Sequence, residues 1–385
     1  MNLRDHQSAE RRRKALEKER GVELTHTGSF TLDEKLAGSR NCENMIGATQ
    51  VPLGIAGPLR IEGVNTEHEP HYYLPLSTTE GALVASVNRG CKAITVSGGA
   101  LVDSHRVGAT RGPVFRVADI RQHDTMYTYL KTHLEELRTI ASRTSHHLRL
   151  EKLMTRGVGR YRFVRFVFDT QDAMGMNMVT IATTELVRHI EKTLGIQCVA
   201  VAGNFDIDKK PSWLNMIENR GIKVWAEVTL SEQALTNVLK TTARAVYDVW
   251  LAKCMVGSAM SGSLGFNAQY ANIIAAMFLA TGQDLGHIGE ASMGITTAEV
   301  VDEHDLYLSV VLPDLMVGTV GGGTGLATQK EALGLLGVWG GSDGVNAQRL
   351  AEIIAAGVLA GEVSLLSALA QGTLAKAHQK LARGK

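Results

Sequence analysis

Residues 76–94 read LSTTEGALVASVNRGCKAI. The stretch is a turn, then a carboxylate, then an amphipathic helix. Ser77, Thr78 and Thr79 are candidate N-caps, with Glu80 directly after them. From Ala82 the pattern is small and apolar, with Leu83, Val84 and Val87 at helical spacing. Asn88, Arg89 and Lys92 give the helix a polar, cationic end. One helix thus carries an acid at its start and anion-binding groups at its end, and the rest of the chain is read outward from it.

Composition narrows the classes. The 385 residues suffice for two or three domains and a substantial core. Forty basic residues against 39 acidic ones leave a net charge of +1, so bulk electrostatics push toward neither nucleic acid nor membrane. Cys42, Cys91, Cys198 and Cys254 are far apart and form no CxxC pair, as suits thiols in a reducing compartment. The charged N-terminal residues do not resemble a signal peptide. The longest apolar run, Ile353 to Ala370, is broken by Glu362 and by glycines. A soluble, cytoplasmic protein is expected.

Residues 7–20 predict an exposed charged helix, and Thr31–Glu34 a capping box. Residues 42–59 alternate β-branched residues with Gly and Pro, the signature of short strands and turns, with Glu43 and Asn44 polar among them. The texture changes at 113. A strand (Val114 to Val117), a helix (Tyr127 to Thr144), the β-like run Tyr161 to Phe168, a helix (Asn177 to Thr193) and a strand (Gln197 to Val201) follow. The prediction is an α+β fold. Segments 41–112 and 201–385 form a large helix-rich domain and 113–200 an inserted small α+β domain, after an N-terminal helical segment 1–40. Arg160, Arg162 and Arg165, interleaved with aromatics, allow an RNA-binding strand as another reading. His68/His71 and Asp302–Asp305 read as surface groups, and no metal site is expected.

Several strings are distinctive together: TTEG at 78–81, ENMIG at 43–47, TRGP at 110–113, DAMGMNM at 172–178, DKKP at 208–211, GQD at 282–284, GTVGGGT at 318–324 and a late histidine, His378. In this order they resemble the 3-hydroxy-3-methylglutaryl-CoA reductase family over residues 40–378, in the form of its class I branch without a membrane domain. The resemblance implies catalytic roles for Glu80, Lys209, Asp284 and His378, and substrate contacts from Arg111, Asp208, Lys210, Lys253 and Asn272. It implies that the large domain binds substrate and CoA and that 113–200 is a ferredoxin-like cofactor-binding domain, with coenzyme A contacts from Glu43, Asn44, Ser86, Asn88, Arg89 and Lys92. It implies nicotinamide-cofactor contacts from Ser145, His146, Asp172, Ala173, Met174, Gly175, Met176, Asn177, Gly322 and Gly323. A homodimer or homotetramer sharing active sites is implied by the ENMIG interface motif.

The chemistry so implied is a double reduction of a thioester to mevalonate and free CoA. Lys209 stabilises each oxyanion and Glu80 donates a proton, its carboxyl pushed up by burial or by Asp284. Asp284 bonds both, and His378 protonates the departing thiolate. Three positions depart from the family pattern: Ala202 replaces a serine near the substrate carboxylate, Gln233 a lysine near coenzyme A, and His146 the arginine that grips the 2′-phosphate of NADPH. NADPH is expected, with NADH the alternative. A CoA-thioester transferase or lyase needs no dinucleotide site and is the competing class.

Overall fold

The computed structural model describes residues 7–66 and 71–372. Ten strands form one mixed, twisted sheet: β1 (Leu53–Glu62), β2 (His71–Ser77), β3 (Ala100–Arg111), β4 (Val114–Arg116), β5 (Arg149–Val158), β6 (Tyr161–Asp169), β7 (Gln197–Ala200), β8 (Arg220–Leu230), β9 (Ile295–Val301) and β10 (Asp305–Leu315). The strand order is β7-β4-β6-β3-β8-β10-β9, with β5 on β6 and β1 on β2 and β3.

β3 connects two regions. Leu101 to Gly108 pair antiparallel with β8, whereas Ala109, Thr110 and Arg111 pair with β6. Two hydrophobic clusters lie on either side of this change of partner. One is built from β3, β8, β10 and the helices Leu83–Val96, Tyr270–Thr281 and Val345–Ala370. The other is built on β4 to β7 and the helix Met176–Leu194, and includes Phe115, Phe166, Phe168 and Leu186. Within the second region the strand order is β7-β4-β6-β5.

The 26-residue helix Val345–Ala370 runs through the larger cluster with most of its side chains buried. It is longer than the apolar run read from sequence, and by length and composition it is long enough to cross a membrane; here it is a core helix. Its buried Glu362 is not a breaker. The carboxylate accepts the backbone N–H groups of Ala268 and Gln269 and the Thr296 hydroxyl, so the acid is fully engaged. Gly90 lets the helix Leu83–Val96 cross it closely, since a Cβ there would meet the Ala360 carbonyl at 1.9 Å.

Local expectations shifted in several places. The helix after Glu80 begins at Leu83, with Ala82 left-handed at φ 73° and no side-chain cap; the Thr78 hydroxyl instead accepts the Glu80 N–H. The N-terminal cap at the second helix is Asp33, not Thr31. The helix read over 127–144 is two, Ile120–Thr132 and Leu134–Ser142, and β5 was not anticipated. Arg162 and Arg165 are buried, bonding His123 and the Asn219 carbonyl, so the strand offers no cationic RNA-binding face.

Candidate active site

Lys209 sits in a loop that ends against the helix Trp213–Glu218. Its backbone is left-handed (φ 62°), as are those of Asn204 and Ile207. A non-glycine residue in this region is strained unless its surroundings hold it. Three contacts do so. Glu290 Oε2 accepts the Lys209 N–H at 2.6 Å, Asn215 donates to the Ile207 carbonyl, and Thr110 donates to the Asp206 carbonyl. The Lys209 ammonium donates to Asp284 Oδ2 at 2.7 Å, and the Gly286 N–H donates to Oδ1 at 2.9 Å. Burial acts to raise the Asp284 carboxyl, but the Lys209 hydrogen bond, the Gly286 N–H and the nearby cationic groups hold it below the ordinary range.

Under this pair lies a polar core that sequence reading missed. Arg220, the first residue of β8, is fully buried and bonds Asp208 at 2.8 Å, Glu290 and the Thr110 hydroxyl. Burial disfavours its charge, yet Asp314, Glu290, Asp208 and Asp206 together hold the guanidinium even above its usual value. Burial pushes the Asp314 carboxyl well up. His287 is buried between Glu290, to which Nδ1 is hydrogen-bonded, and Asp284. The three-residue spacing Asp284–His287–Glu290 puts three ionisable groups along one helical face, but spacing alone does not show that they are buried together. Asp208, His287 and Glu290 bring ligand atoms within 4.8 Å of one another, a metal-like grouping, but Arg220 already bridges Asp208 and Glu290.

Arg111, at the end of β3, pairs with Asp206 at 3.2 Å and Asp208 at 3.6 Å and donates to the Thr180 hydroxyl. Lys210 is exposed and, among the described residues, donates to the Asp208 carbonyl. Arg111, Asp208, Lys209 and Asp284 line one cleft of about 750 Å3. Its other wall is the turn before the helix Met176–Leu194, with Ala173, Met174, Gly175, Met176 and Asn177, facing Gly322 and Gly323. Gly175 is left-handed (φ 82°), and the 19-residue helix after it has no side-chain cap and begins at residues that line the cleft. Gly318 comes close behind the turn, where a Cβ would meet the Met174 nitrogen at 2.4 Å.

Asp172 is a correction. Its carboxylate is buried and accepts the N–H groups of Ser342, Gly344 and Ala347, so it is spent on anchoring the start of the long core helix. Glu80 is a second. It is exposed rather than buried, and among the described residues it bonds Asn272 (3.4 Å) and not Asp284. Its hollow, about 490 Å3, shares Leu279 and Leu285 with the Lys209 cleft, so the two adjoin. Lys253 and Asn272 line a third hollow of about 680 Å3, and Asn272 borders Glu80 as well.

The expected coenzyme A residues do not form one cluster. Ser86 and Arg89 are spent on Ser364 of the core helix, and Asn88 accepts the Gly57 N–H. Lys92 is exposed on the same helix. Glu43 and Asn44 lie in an exposed turn whose neighbours Met45 and Ile46 are held through their carbonyls by Arg12 and Arg13. Ser145 accepts the His147 N–H, and His146 is exposed. Arg149 is committed to Glu151. His378, with His68, lies outside the described residues.

Comparison with known proteins follows the same outline. A family model described as hydroxymethylglutaryl-coenzyme A reductase matches residues 8–383. The chain is 49% identical to the 3-hydroxy-3-methylglutaryl-coenzyme A reductase of Methanocaldococcus jannaschii, over 98% of this chain and 93% of that protein. It is 41% identical to reductase 1 of Arabidopsis thaliana, over 97% of this chain and 63% of that one. In fold it resembles the class II reductase of Streptococcus pneumoniae bound to NADPH in open conformations, with TM-score 0.68, 19% identity, and coverage of 96% of this chain and 99% of that one. A second structure of the pneumococcal enzyme gives TM-score 0.70 at the same identity, over 95% and 98%. With a family model matched nearly end to end and close to half its residues shared with an archaeal relative, the chain belongs to the hydroxymethylglutaryl-coenzyme A reductase family.

Proposed function

We propose that this chain reduces 3-hydroxy-3-methylglutaryl-CoA to mevalonate and free CoA with two equivalents of NADPH. The observation that carries the reading is the Lys209–Asp284 pair, 2.7 Å long, in a cleft whose opposite wall is an uncapped helix N-terminus. That wall suits a dinucleotide. Gly321 and Gly322 have no atom within 4 Å of an added Cβ, so their backbone is open to a ligand, and the Gly175 helix start favours a phosphate. Ala173 to Asn177, with Gly322 and Gly323, are the residues assigned to hold the cofactor. Once bound, the reduced nicotinamide supplies the hydride for each reduction.

The protein's own residues supply charge and protons. Each reduction builds negative charge on a carbonyl oxygen, and the Lys209 ammonium, fixed by Asp284, stabilises it. Glu80, in the adjoining hollow, donates a proton to that oxygen. Arg111 and Lys210 take the substrate carboxylate, since Ala202 has no hydroxyl to offer, with Asp208, Lys253 and Asn272 around them. His378 protonates the thiolate. Ser145 and His146 take the 2′-phosphate, and Glu43, Asn44, Asn88 and Lys92 are assigned to coenzyme A. Ser86 and Arg89 act there by fixing the helix that carries Asn88 and Lys92.

Exposure of Glu80 and of the ENMIG turn favours a homodimer or homotetramer in which a second copy covers both. The two hydrophobic clusters and the β7-β4-β6-β5 order support residues 113–200 as an inserted ferredoxin-like domain. The DKKP string favours a class I-like enzyme, and the neutral charge a cytoplasmic one. The test is steady-state oxidation of NADPH with 3-hydroxy-3-methylglutaryl-CoA, with mevalonate and CoA measured as products. Absence of thioester-dependent oxidation by the folded protein refutes the reading.

A further inference from the structure

His287 plays no part in the chemistry above, yet it lies directly beneath it. The ring is fully buried. Glu290 already accepts from the Lys209 N–H through Oε2 and from Arg220 through Oε1, so it is an ionised acceptor. The His287 Nδ1 hydrogen-bonded to Oε1 is therefore the donor, and its proton is fixed on Nδ1. Nε2 is buried and has no hydrogen-bond partner. It faces Asp284 Oδ2 at 3.6 Å, the same oxygen that receives Lys209.

Two acceptors facing each other in a buried site are unfavourable. An unpaired buried polar atom costs about 1–3 kcal/mol, and the lone-pair repulsion adds to it. A proton between Nε2 and Oδ2 removes both. A separation of 3.6 Å is that of an ion pair, and an approach of about 0.4 Å brings it to hydrogen-bond length. Asp284 is partly exposed and able to make that shift. The remaining charged groups leave room for the proton. Asp208 lies 3.9 Å from Nδ1, while the Arg220 guanidinium and the Lys209 ammonium are each held by carboxylates, with Asp314 behind Arg220.

We propose that His287 shares a proton with Asp284 and is the positioning residue that recharges Lys209, a role that rests on the reductase reading. When Lys209 Nζ gives a proton to the alkoxide formed at the carbonyl, an N–H bond breaks and an O–H bond forms. The shared proton then passes through Asp284 Oδ2 to the Lys209 amine. His287 is left neutral, with the proton on Nδ1 still donated to Glu290. Solvent at the exposed edge of Asp284 returns the lost proton, so one solvent proton is consumed for each alkoxide quenched. The alkoxide thereby gains a donor on the Lys209 wall, separate from Glu80. Glu290 serves the same device from below, by holding the left-handed Lys209 backbone.

The test uses the full chain. His287→Gln keeps a polar group of similar reach but cannot titrate. It is expected to lower kcat by about 10–100-fold on both 3-hydroxy-3-methylglutaryl-CoA and mevaldehyde, with KM for each within twofold. It is also expected to remove one ionisation from the pH profile of kcat. Wild-type kcat with an unchanged pH profile in the folded variant overturns the proposal. A second measurement needs no variant to fold: 15N NMR of the wild-type imidazoles, assigned by sequence-specific labelling. Both His287 nitrogens are expected to carry protons at neutral pH, and a bare Nε2 overturns the proposal. If the wild type fails to oxidise NADPH with the thioester, the functional reading falls, whereas the NMR result still decides the shared proton.

Discussion

The Lys209 corner and the Ser145–Arg149 corner are both assigned to charged ligands, yet they are built in opposite ways. Around Lys209, one buried guanidinium, three carboxylates and a histidine are linked by ion pairs and hydrogen bonds, and the backbone is held left-handed by contacts from β3, the helix Trp213–Glu218 and the 284–290 turn. Around Ser145, His146 is exposed, Arg149 already has Glu151, and Arg143 projects from a helix end. The first corner is organised before any ligand arrives, as electrostatic stabilisation of a developing charge requires. The second, assigned to the 2′-phosphate of the cofactor, presents loosely held side chains. Chemistry at the first should therefore break abruptly on mutation, and selectivity at the second should shift by degrees.

The sharpest break is expected at Arg220. Arg220→Ala leaves Asp314 and Glu290 buried without their cation, and a loss of about 3–5 kcal/mol is expected. Urea unfolding measures it, and a loss under 1 kcal/mol would mean the network reorganises freely. Next is Lys209→Ala. Removing one oxyanion stabiliser costs about 10²–10³ in kcat, while CoA affinity, read by calorimetry, should hold. Near-normal turnover would detach Lys209 from the chemistry.

A smaller effect is expected from pH. Asp284 is held below the usual carboxylate range in the folded state, so its contribution is present above its unfolded pKa and fades as pH falls through the folded value. The pair is partly exposed and screened, so the stability difference between wild type and Asp284→Asn should be below about 1 kcal/mol near neutral pH and vanish in acid. A difference that grows in acid contradicts the assignment.

The smallest shift is expected at the loose corner. His146→Arg should lower KM for NADPH by a few-fold and leave KM for NADH unchanged, because a planar, permanently charged fork grips phosphate better than imidazole. An NADPH KM unmoved by the substitution would shift the assignment to Arg143.

The same contrast governs what could be read beforehand. Lys209, Asp284 and the Gly175 turn were legible because their strings are distinctive and local. The helix after Gly175 was placed to within a residue at each end, since its apolar spacing is regular. Arg220, His287 and Glu290 were not legible, because burial of a charge depends on partners from strands and turns distant in sequence. Asp172 was misread for the same reason, its three partners lying about 170 residues away. Glu80 was placed inside a capped helix because Ser and Thr favour caps, but Thr78 capped a turn instead. Arg162 and Arg165 suggested a cationic face until the β6 partners enclosed them.

The helix Val345–Ala370 has a further consequence, during synthesis of the chain. As it leaves the ribosome it presents the length and apolarity by which a membrane span is recognised. What draws it elsewhere is timing. Its cover comes from β3, β8, β10 and the helices Leu83–Val96 and Tyr270–Thr281, all made before it. The trough, including the Ala268, Gln269 and Thr296 groups that receive Glu362, precedes its occupant. A nascent chain stalled before residue 345 should therefore expose an apolar trough that binds a hydrophobic dye, and release past residue 370 should abolish that binding.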